Sequence, residues 1–211
     1  MDARLDGVEV RVLGSLLEKE IATPEYYPLS LNALVNACNQ RSNRDPVVTY
    51  DEGTVETALE SLRFRGLALR ITGGDSRVPK HAQRFTEKFN LGRREAAIMC
   101  ALMLRGPQTV GELRGRSERL YAFEDLEGVE GTLDRLAEME FVKKLPRQAG
   151  FKEQRWGHLL SGDIAVTDEK PAAGPPPATD RGAADRERIA ALEREVAGLR
   201  RDFDEFRRKF E

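Results

Sequence analysis

The chain has 211 residues and a formal net charge of -2, because 34 Lys and Arg residues are balanced by 36 Asp and Glu residues. This near-neutral balance excludes a polybasic chain that binds nucleic acid through bulk charge alone, and it excludes an acidic disordered protein. Because the net charge is close to zero, any charged interaction surface must be local. The length is enough for one or two domains.

The first 90 residues are predicted to form three helices followed by a β-hairpin. The elements are helices over residues 6–20 and 31–38, a third helix from about Asp51 to Gly66, and strands over residues 67–71 and 77–85. Apolar residues recur at helical spacing in each helix, and Ser30 and Asp51 are placed to cap the second and third. Residues 72–75 carry a hairpin-turn signal.

Residues 91–163 are predicted to repeat this order. The elements are a helix that stops at residues 106–107, a short helix opened by a capping box at residues 109–112, a third helix over Val129, Leu133 and Leu136, and strands over residues 141–145 and 154–160. A shift of 74 positions maps Asp51 onto Asp125 and Leu59 onto Leu133 with residue type conserved. The repeated order predicts a mainly helical α+β fold, a tandem winged helix-turn-helix with domains over residues 1–90 and 91–163.

The C-terminal part is predicted to contain a linker and a coiled coil. Residues 164–184 are rich in Pro, Ala and Gly, which is typical of a flexible linker, and residues 185–211 have a helical pattern. The apolar seam of this helix, with alternating spacings of three and four, is Ile189, Leu192, Val196, Leu199, Phe203, Phe206 and Phe210. It predicts a parallel homodimer. The alternative is a helix that folds back onto its own chain, because three Phe residues are bulky for a two-stranded seam.

Several segments of the chain resemble the YceH family of bacterial proteins. The similar segments are residues 27–34, 37–40, 43–47, 77–78, Lys80, 83–85, 104–106 and 111–114, and the resemblance extends over about residues 5–162. His81 departs from the pattern, since the family commonly has an aromatic residue there. The resemblance implies a tandem winged-helix fold and no established activity.

Charge on the third helices argues against ordinary reading of a DNA major groove. Asp51, Glu52, Glu56 and Glu60 would oppose phosphates in the first unit, and Glu127, Glu130, Asp134 and Glu138 would do so in the second. The candidate contacts to nucleic acid or a protein partner are therefore polar and basic residues of loops and wings. They are Gln40, Arg41, Asn43, Arg44, Arg77, Lys80, Arg84, Arg114, Arg116 and Arg119. The alternative is that these residues are solvated surface, with the 39–46 loop forming local turns.

No catalytic constellation is evident, so we predict a non-enzymatic protein without metal or cofactor. Cys38 and Cys100 lie in apolar helical patterns, and His81 and His158 lack neighbours at metal-ligand spacing.

The start of the chain lacks a signal-peptide core, and the longest apolar run, residues 96–104, is too short to cross a bilayer. We expect a cytoplasmic nucleic-acid-binding regulator or accessory factor that contacts no membrane. The alternative is a protein-interaction module like the winged helices of chromosome-organising complexes.

Overall fold

The computed structural model describes residues 4–73, 76–147 and 153–162, all within one compact unit, Met1–Val166. The predicted linker (164–184), the predicted coiled-coil helix (185–211) and its seven seam residues lie outside the described residues. The described part is mainly helical with small antiparallel sheets, which confirms the predicted α+β class.

The first repeat, which we define as α1 to α4, contains four helices and a three-stranded sheet. Its elements are α1 (Gly7–Ala22), a 3₁₀ turn (Pro24–Tyr26), β1 (Leu29–Ser30), α2 (Leu31–Cys38), α3 (Glu52–Phe64), β2 (Ala68–Gly73), β3 (Ser76–Gln83) and α4 (Phe85–Phe89). The strand order is β1-β3-β2, so β2 forms one edge. Leu69 pairs with Ala82 and Ile71 with Lys80.

The second repeat, α5 to β5, follows the same order with fewer elements among its described residues. They are α5 (Arg93–Arg105), α6 (Val110–Ser117), α7 (Leu126–Glu138), β4 (Val142–Lys144) and β5 (Trp156–His158). The two strands pair antiparallel, with Val142 opposite His158. Whether the two repeats are separate domains stays a prediction, because their buried residues form one continuous hydrophobic core.

Local capping explains why several predicted helices begin where expected. Ser30 accepts a hydrogen bond from the backbone N–H of Ala33, and Asp51 accepts one from that of Thr54. Thr109 and Glu112 form the predicted capping box. Such side-chain caps satisfy N–H groups that the first helical turn leaves unpaired, and they depend only on residues three positions apart.

The structure corrects the end of the predicted hairpin in the first repeat. The returning strand was expected to reach Phe85, but β3 ends at Gln83 and Phe85 begins the short helix α4. The side chain of Gln83 accepts a hydrogen bond from the backbone N–H of Thr86. Phe85 and Phe89 then pack edge-on against Phe141 of the second repeat, with ring centroids 5.5 and 4.9 Å apart. This aromatic contact is long-range, so helical spacing could not reveal it.

The core of the described unit is organised around the contact between α1 and α5. Gly14 lies where the helices approach each other, and a Cβ there would stand 3.0 Å from side-chain atoms of Met103 and Leu104. The Cys100 thiol lies 3.7 Å from the Gly14 carbonyl oxygen. The absence of a side chain at Gly14 therefore permits close helix packing and brings the C-terminal end of α5 toward the loop after α2.

Candidate functional site

Arg44, a predicted surface contact, is buried. Its side chain has 0% exposure, and its guanidinium donates to the two carboxylate oxygens of Glu18 at 3.1 and 2.6 Å. It also donates to the backbone oxygens of Ala37 and Asn43 and to the side-chain oxygen of Gln40. Burial alone would raise the pKa of Glu18, but the hydrogen bonds and charge of Arg44 outweigh it and lower that pKa. Arg44 thus positions the loop, and its predicted contact with a ligand or partner stays a prediction.

Further hydrogen bonds attach the loop after α2 to the rest of the fold. The Asn39 side chain donates to the Tyr50 carbonyl oxygen and accepts from the Tyr50 N–H, both at 2.8 Å. The Asp45 N–H donates to the carbonyl oxygen of Leu104, at the end of α5, at 2.9 Å. Asn43 adopts a left-handed conformation with φ of 59°, which Asn tolerates better than most residues. The loop is therefore held against the second repeat.

A cleft of about 180 Å³ opens beside this loop, between the two repeats. The last turns of α1 and α5, the loop after α2, and the end of α6 with the turn after it all contribute to its lining. Its charged and polar lining residues are Glu18, Lys19, Thr23, Gln40, Ser42, Asn43, Arg105, Arg116 and Arg119. We call this set the basic cleft. Four of its side chains are cationic and one is anionic, so it favours a negatively charged ligand group.

The cations of the basic cleft are incompletely neutralised. Lys19 pairs with Glu18 at 3.5 Å and Arg116 with Glu112 at 3.2 Å, whereas Arg105 donates to the side-chain oxygen of Asn43, a neutral partner. Within the part of the chain that the structure describes, no carboxylate forms an ion pair with Arg105 or Arg119. Burial, followed by the charges of Arg116 and Arg44, lowers the pKa of Arg105. An anion in the cleft would relieve this crowding of positive charge.

The structure brings four of the predicted contact residues together in the basic cleft. They are Gln40, Asn43, Arg116 and Arg119. Sequence reasoning missed Lys19 and Arg105, because each was counted as part of an ordinary amphipathic helix. Their position in the last turn of a helix, where cations are favoured, was a weak available signal.

Other predicted contacts lie apart from the basic cleft. Arg84 pairs with Glu87 at 2.8 Å on the surface. Arg114 donates to the carbonyl oxygens of Phe123 and Glu124, which positions the turn before α7. The remaining three are Arg41, exposed in the loop, Lys80, half-buried on β3, and Arg77, whose backbone lies in β3 and whose side chain is outside the described residues.

The third helices carry exposed carboxylates in both repeats, as the sequence predicted. In the first repeat they are Glu52, Glu56 and Glu60 of α3, and in the second they are Glu127, Glu130, Asp134 and Glu138 of α7. Phosphate contacts supply much of the affinity of most DNA-binding proteins, and these carboxylates oppose them. The basic cleft, by contrast, contains no residue of either helix.

The thiols and imidazoles lie in settings that suppress their reactivity. Cys38 and Cys100 are buried, and burial raises the pKa of both thiols. Burial also lowers the pKa of His158 to about 4 and contributes to a lowered pKa at His81. Among the described His, Cys, Asp and Glu residues, no group of three or more could hold a metal ion. In the described ranges, no helix has the length and hydropathy needed to cross a membrane.

Comparisons with known proteins place the chain in a bacterial family. The family described as "Protein of unknown function, DUF480" matches residues 5–151. A UPF0502 protein from Solibacter usitatus (strain Ellin6076) is 69% identical over 211 residues, covering 100% of both chains. One from Opitutus terrae is 53% identical over 199 residues, covering 93% of this chain and 83% of its own. One from Citrifermentans bemidjiense is 54% identical over 204 residues, covering 93% and 90%. The chain therefore belongs to the DUF480, or UPF0502, family.

Proposed function

We propose that this protein is a non-enzymatic nucleic-acid-binding regulator or accessory factor that binds the phosphate backbone in its basic cleft. The carrying observation is the convergence of Lys19, Arg105, Arg116 and Arg119 from three separate parts of the chain. Guanidinium groups suit phosphate oxygens because their planar N–H donors match the geometry of those oxygens. We further propose that each repeat is a winged helix, and that the resemblance to the YceH family and membership of UPF0502 describe one family.

The size of the basic cleft supports a phosphate group of a polymer over a free cofactor. Pockets for drug-sized ligands and cofactors usually have volumes of about 300–1,000 Å³. The cleft, at about 180 Å³, is smaller and suits one phosphate group. Loop 39–46 and the turn after α6 flank the cleft, so neighbouring nucleotides would contact loops while the acidic faces of α3 and α7 stay outside.

The test is a salt titration with a fluorescein-labelled duplex and its single strand, beginning at about 50 mM salt. We expect the wild-type affinity to fall steeply as salt rises. The double substitution Arg105→Gln, Arg119→Gln removes two cations from the cleft, and it should lower the slope of log K against log salt by about two.

The matched control is Arg93→Gln, at the opposite end of the same helix, α5. Arg93 and Arg105 are separated by about 18 Å along the helix axis, from the usual rise of about 1.5 Å per residue. The control should retain the wild-type slope. Equal slopes for the two variants, or no binding at the lowest salt, would contradict the proposal.

A protein-interaction module is the second candidate function. The exposed carboxylates of α3 and α7 favour it, because they present two acidic helical faces that a phosphate backbone avoids. The same titration discriminates between the candidates. A folded protein that binds neither duplex nor single strand would exclude the first function and favour the second.

Dimerisation through the C-terminal helix would strengthen weak contacts to nucleic acid, because two linked clefts bind with a raised effective concentration. We also propose that the protein is located in the cytoplasm. The proposed seam of the dimer is the set from Ile189 to Phe210 named above. Light scattering on the full chain and on residues 1–165 tests whether the C-terminal helix forms this dimer. A dimeric full chain and a monomeric truncation are expected, whereas two monomers would favour the fold-back alternative.

A further inference from the structure

The edge of the first sheet presents an apolar surface to solvent. Phe64, the last residue of α3, is 95% exposed, and Leu69 and Ile71 of β2 are 40% and 43% exposed. Val78 of β3 is also exposed. Ala68 of β2 is buried, whereas every following residue of the strand is exposed, so β2 extends beyond the core after its first residue. Grouped exposed apolar residues of this kind mark interaction surfaces more often than scattered single ones do.

The second repeat shows what the same positions look like without this apolar surface. The bounds of α3 and α7 match after a shift of 74 residues, and β2 and β4 begin at matching residues. Under this shift Phe64 corresponds to Glu138 and Leu69 to Lys143, both exposed, while Ile71 corresponds to Leu145, which is half-buried and follows the end of β4. Charged residues, Lys above all, are the usual protection of a sheet edge against pairing with other chains. The apolar edge therefore distinguishes the first repeat and is not required by the shared architecture.

The backbone of β2 offers a place for an additional strand. The strand order is β1-β3-β2, so β2 has one hydrogen-bonded neighbour among the described residues. Every residue from Leu69 to Gly73 is exposed. An extended peptide can add to such an edge through main-chain hydrogen bonds, while its alternate side chains select the partner.

Two arginines indicate the charge of the partner. Arg63 and Arg70 line one shallow recess together with Glu60, Phe64 and Leu69, so the recess has two cations and one carboxylate. No carboxylate forms an ion pair with either arginine in the described residues. In a pairing of β2 with a second copy of itself, Arg70 would lie close to its counterpart, and like charges across strands are destabilising. A partner that supplies carboxylates at these positions avoids this cost.

We propose that the β2 edge binds an extended peptide segment of a partner protein in which apolar and acidic residues alternate. The apolar side chains would pack on Leu69, Ile71 and Phe64, and the carboxylates would face Arg63 and Arg70. This surface contains no residue of the basic cleft, so the inference stands apart from nucleic-acid binding.

The test uses the full chain and two labelled peptides, one alternating valine with aspartate and the other valine with lysine. Fluorescence anisotropy should show that the aspartate peptide binds about tenfold more tightly or better, which corresponds to about 1.4 kcal/mol. The double substitution Arg63→Glu, Arg70→Glu should reverse this preference. Phe64→Ser and Leu69→Ser should weaken binding of the aspartate peptide. N-methylation of its amides along one edge alone should abolish binding, because only that edge pairs with β2.

Leu126→Ser is the matched control, because Leu126 is an exposed apolar residue of α7 outside the proposed surface. It should leave binding unchanged, and circular dichroism should show all variants folded. Equal affinity for the two peptides, or no binding at millimolar concentration, would overturn the proposal. So would a charge-reversal variant that loses oligonucleotide binding while keeping its peptide preference, since the edge would then belong to nucleic acid.

Discussion

The two repeats share details of their interior while differing at their surfaces. Both third helices are capped by an aspartate, Asp51 in α3 and Asp125 in α7. Each repeat also buries a glutamate in the first turn of its first helix and pairs it with an arginine, at 3.3 Å for Glu9–Arg65 and 3.2 Å for Glu95–Arg135. Caps and buried pairs thus define a common scaffold.

The two repeats differ at both candidate interaction sites. The loop between α2 and α3 is longer than that between α6 and α7, and it buries Arg44 beside the basic cleft. At the sheet edge, Phe64 in the first repeat corresponds to Glu138 in the second. Duplicated folds keep residues that the core needs and vary the rest, so these departures are where specific binding is expected.

The largest effect is expected from disrupting the buried ion pair between Glu18 and Arg44 in the first repeat. Glu18→Gln leaves the Arg44 guanidinium buried without a counter-charge, which should lower the free energy of unfolding by about 3–5 kcal/mol in urea denaturation. Glu112→Gln is the control, because its pair with Arg116 is partly exposed and should contribute less than about 1 kcal/mol. Equal losses in the free energy of unfolding of the two variants would contradict the burial of the Arg44 guanidinium.

A pH dependence is expected from His158, the half-buried histidine of the second repeat. Burial lowers the pKa of His158 from 6.5 to about 4, so the unfolded chain binds a proton in this range while the folded protein does not. The free energy of unfolding should therefore fall by about 3 kcal/mol as the pH decreases from 6.5 to 4. His158→Gln should flatten this dependence. His81→Gln in the first sheet should flatten it less, and an unchanged slope in the first variant would refute the assignment.

The contact between the repeats can be disrupted at Gly14. In Gly14→Val the new Cβ would stand 3.0 Å from Leu104 and Met103 side-chain atoms, and overpacking of this kind costs about 2 kcal/mol. Thermal and urea denaturation measure the loss. Gly131→Val in α7 is the control, because a Cβ there has no neighbour within 4 Å, and it should be neutral or slightly stabilising. Equal stability of the two variants would contradict close packing of α1 on α5.

The smallest expected effect concerns a backbone position that the repeats share. Gly66 after α3 has φ of 68°, and its counterpart Glu140 after α7 has φ of 60°, a left-handed conformation that glycine adopts without strain. Glu140→Gly should raise the free energy of unfolding by about 0.5 kcal/mol, and Gly66→Ala should lower it by about 1 kcal/mol. Chemical denaturation measures both changes. Changes of opposite sign in the free energy of unfolding support the equivalence of the two positions, whereas a lower free energy of unfolding in both variants would refute it.

Elements defined by nearby residues were predictable, and those defined by distant contacts were not. The bounds of α2 follow from Ser30 and a short apolar stripe. β1 escaped prediction because its two residues become a strand only through pairing with Lys80 and His81. In the candidate site, Arg116 and Arg119 were identified as basic residues, but Arg105 joined them only through the packing of α5.

The sequence alone therefore determined the order of helices and strands, the duplicated plan, the burial of both thiols and the acidic faces of the third helices. These follow from local capping and periodic burial, which act over a few residues. Tertiary structure decided which cations remain available to a ligand. Arg44 and Arg41 look alike in the loop, yet Arg44 is buried by Glu18, 26 positions earlier, while Arg41 stays exposed. The physical reason is that burial of a charge depends on a partner brought close by folding, not on its neighbours in the chain.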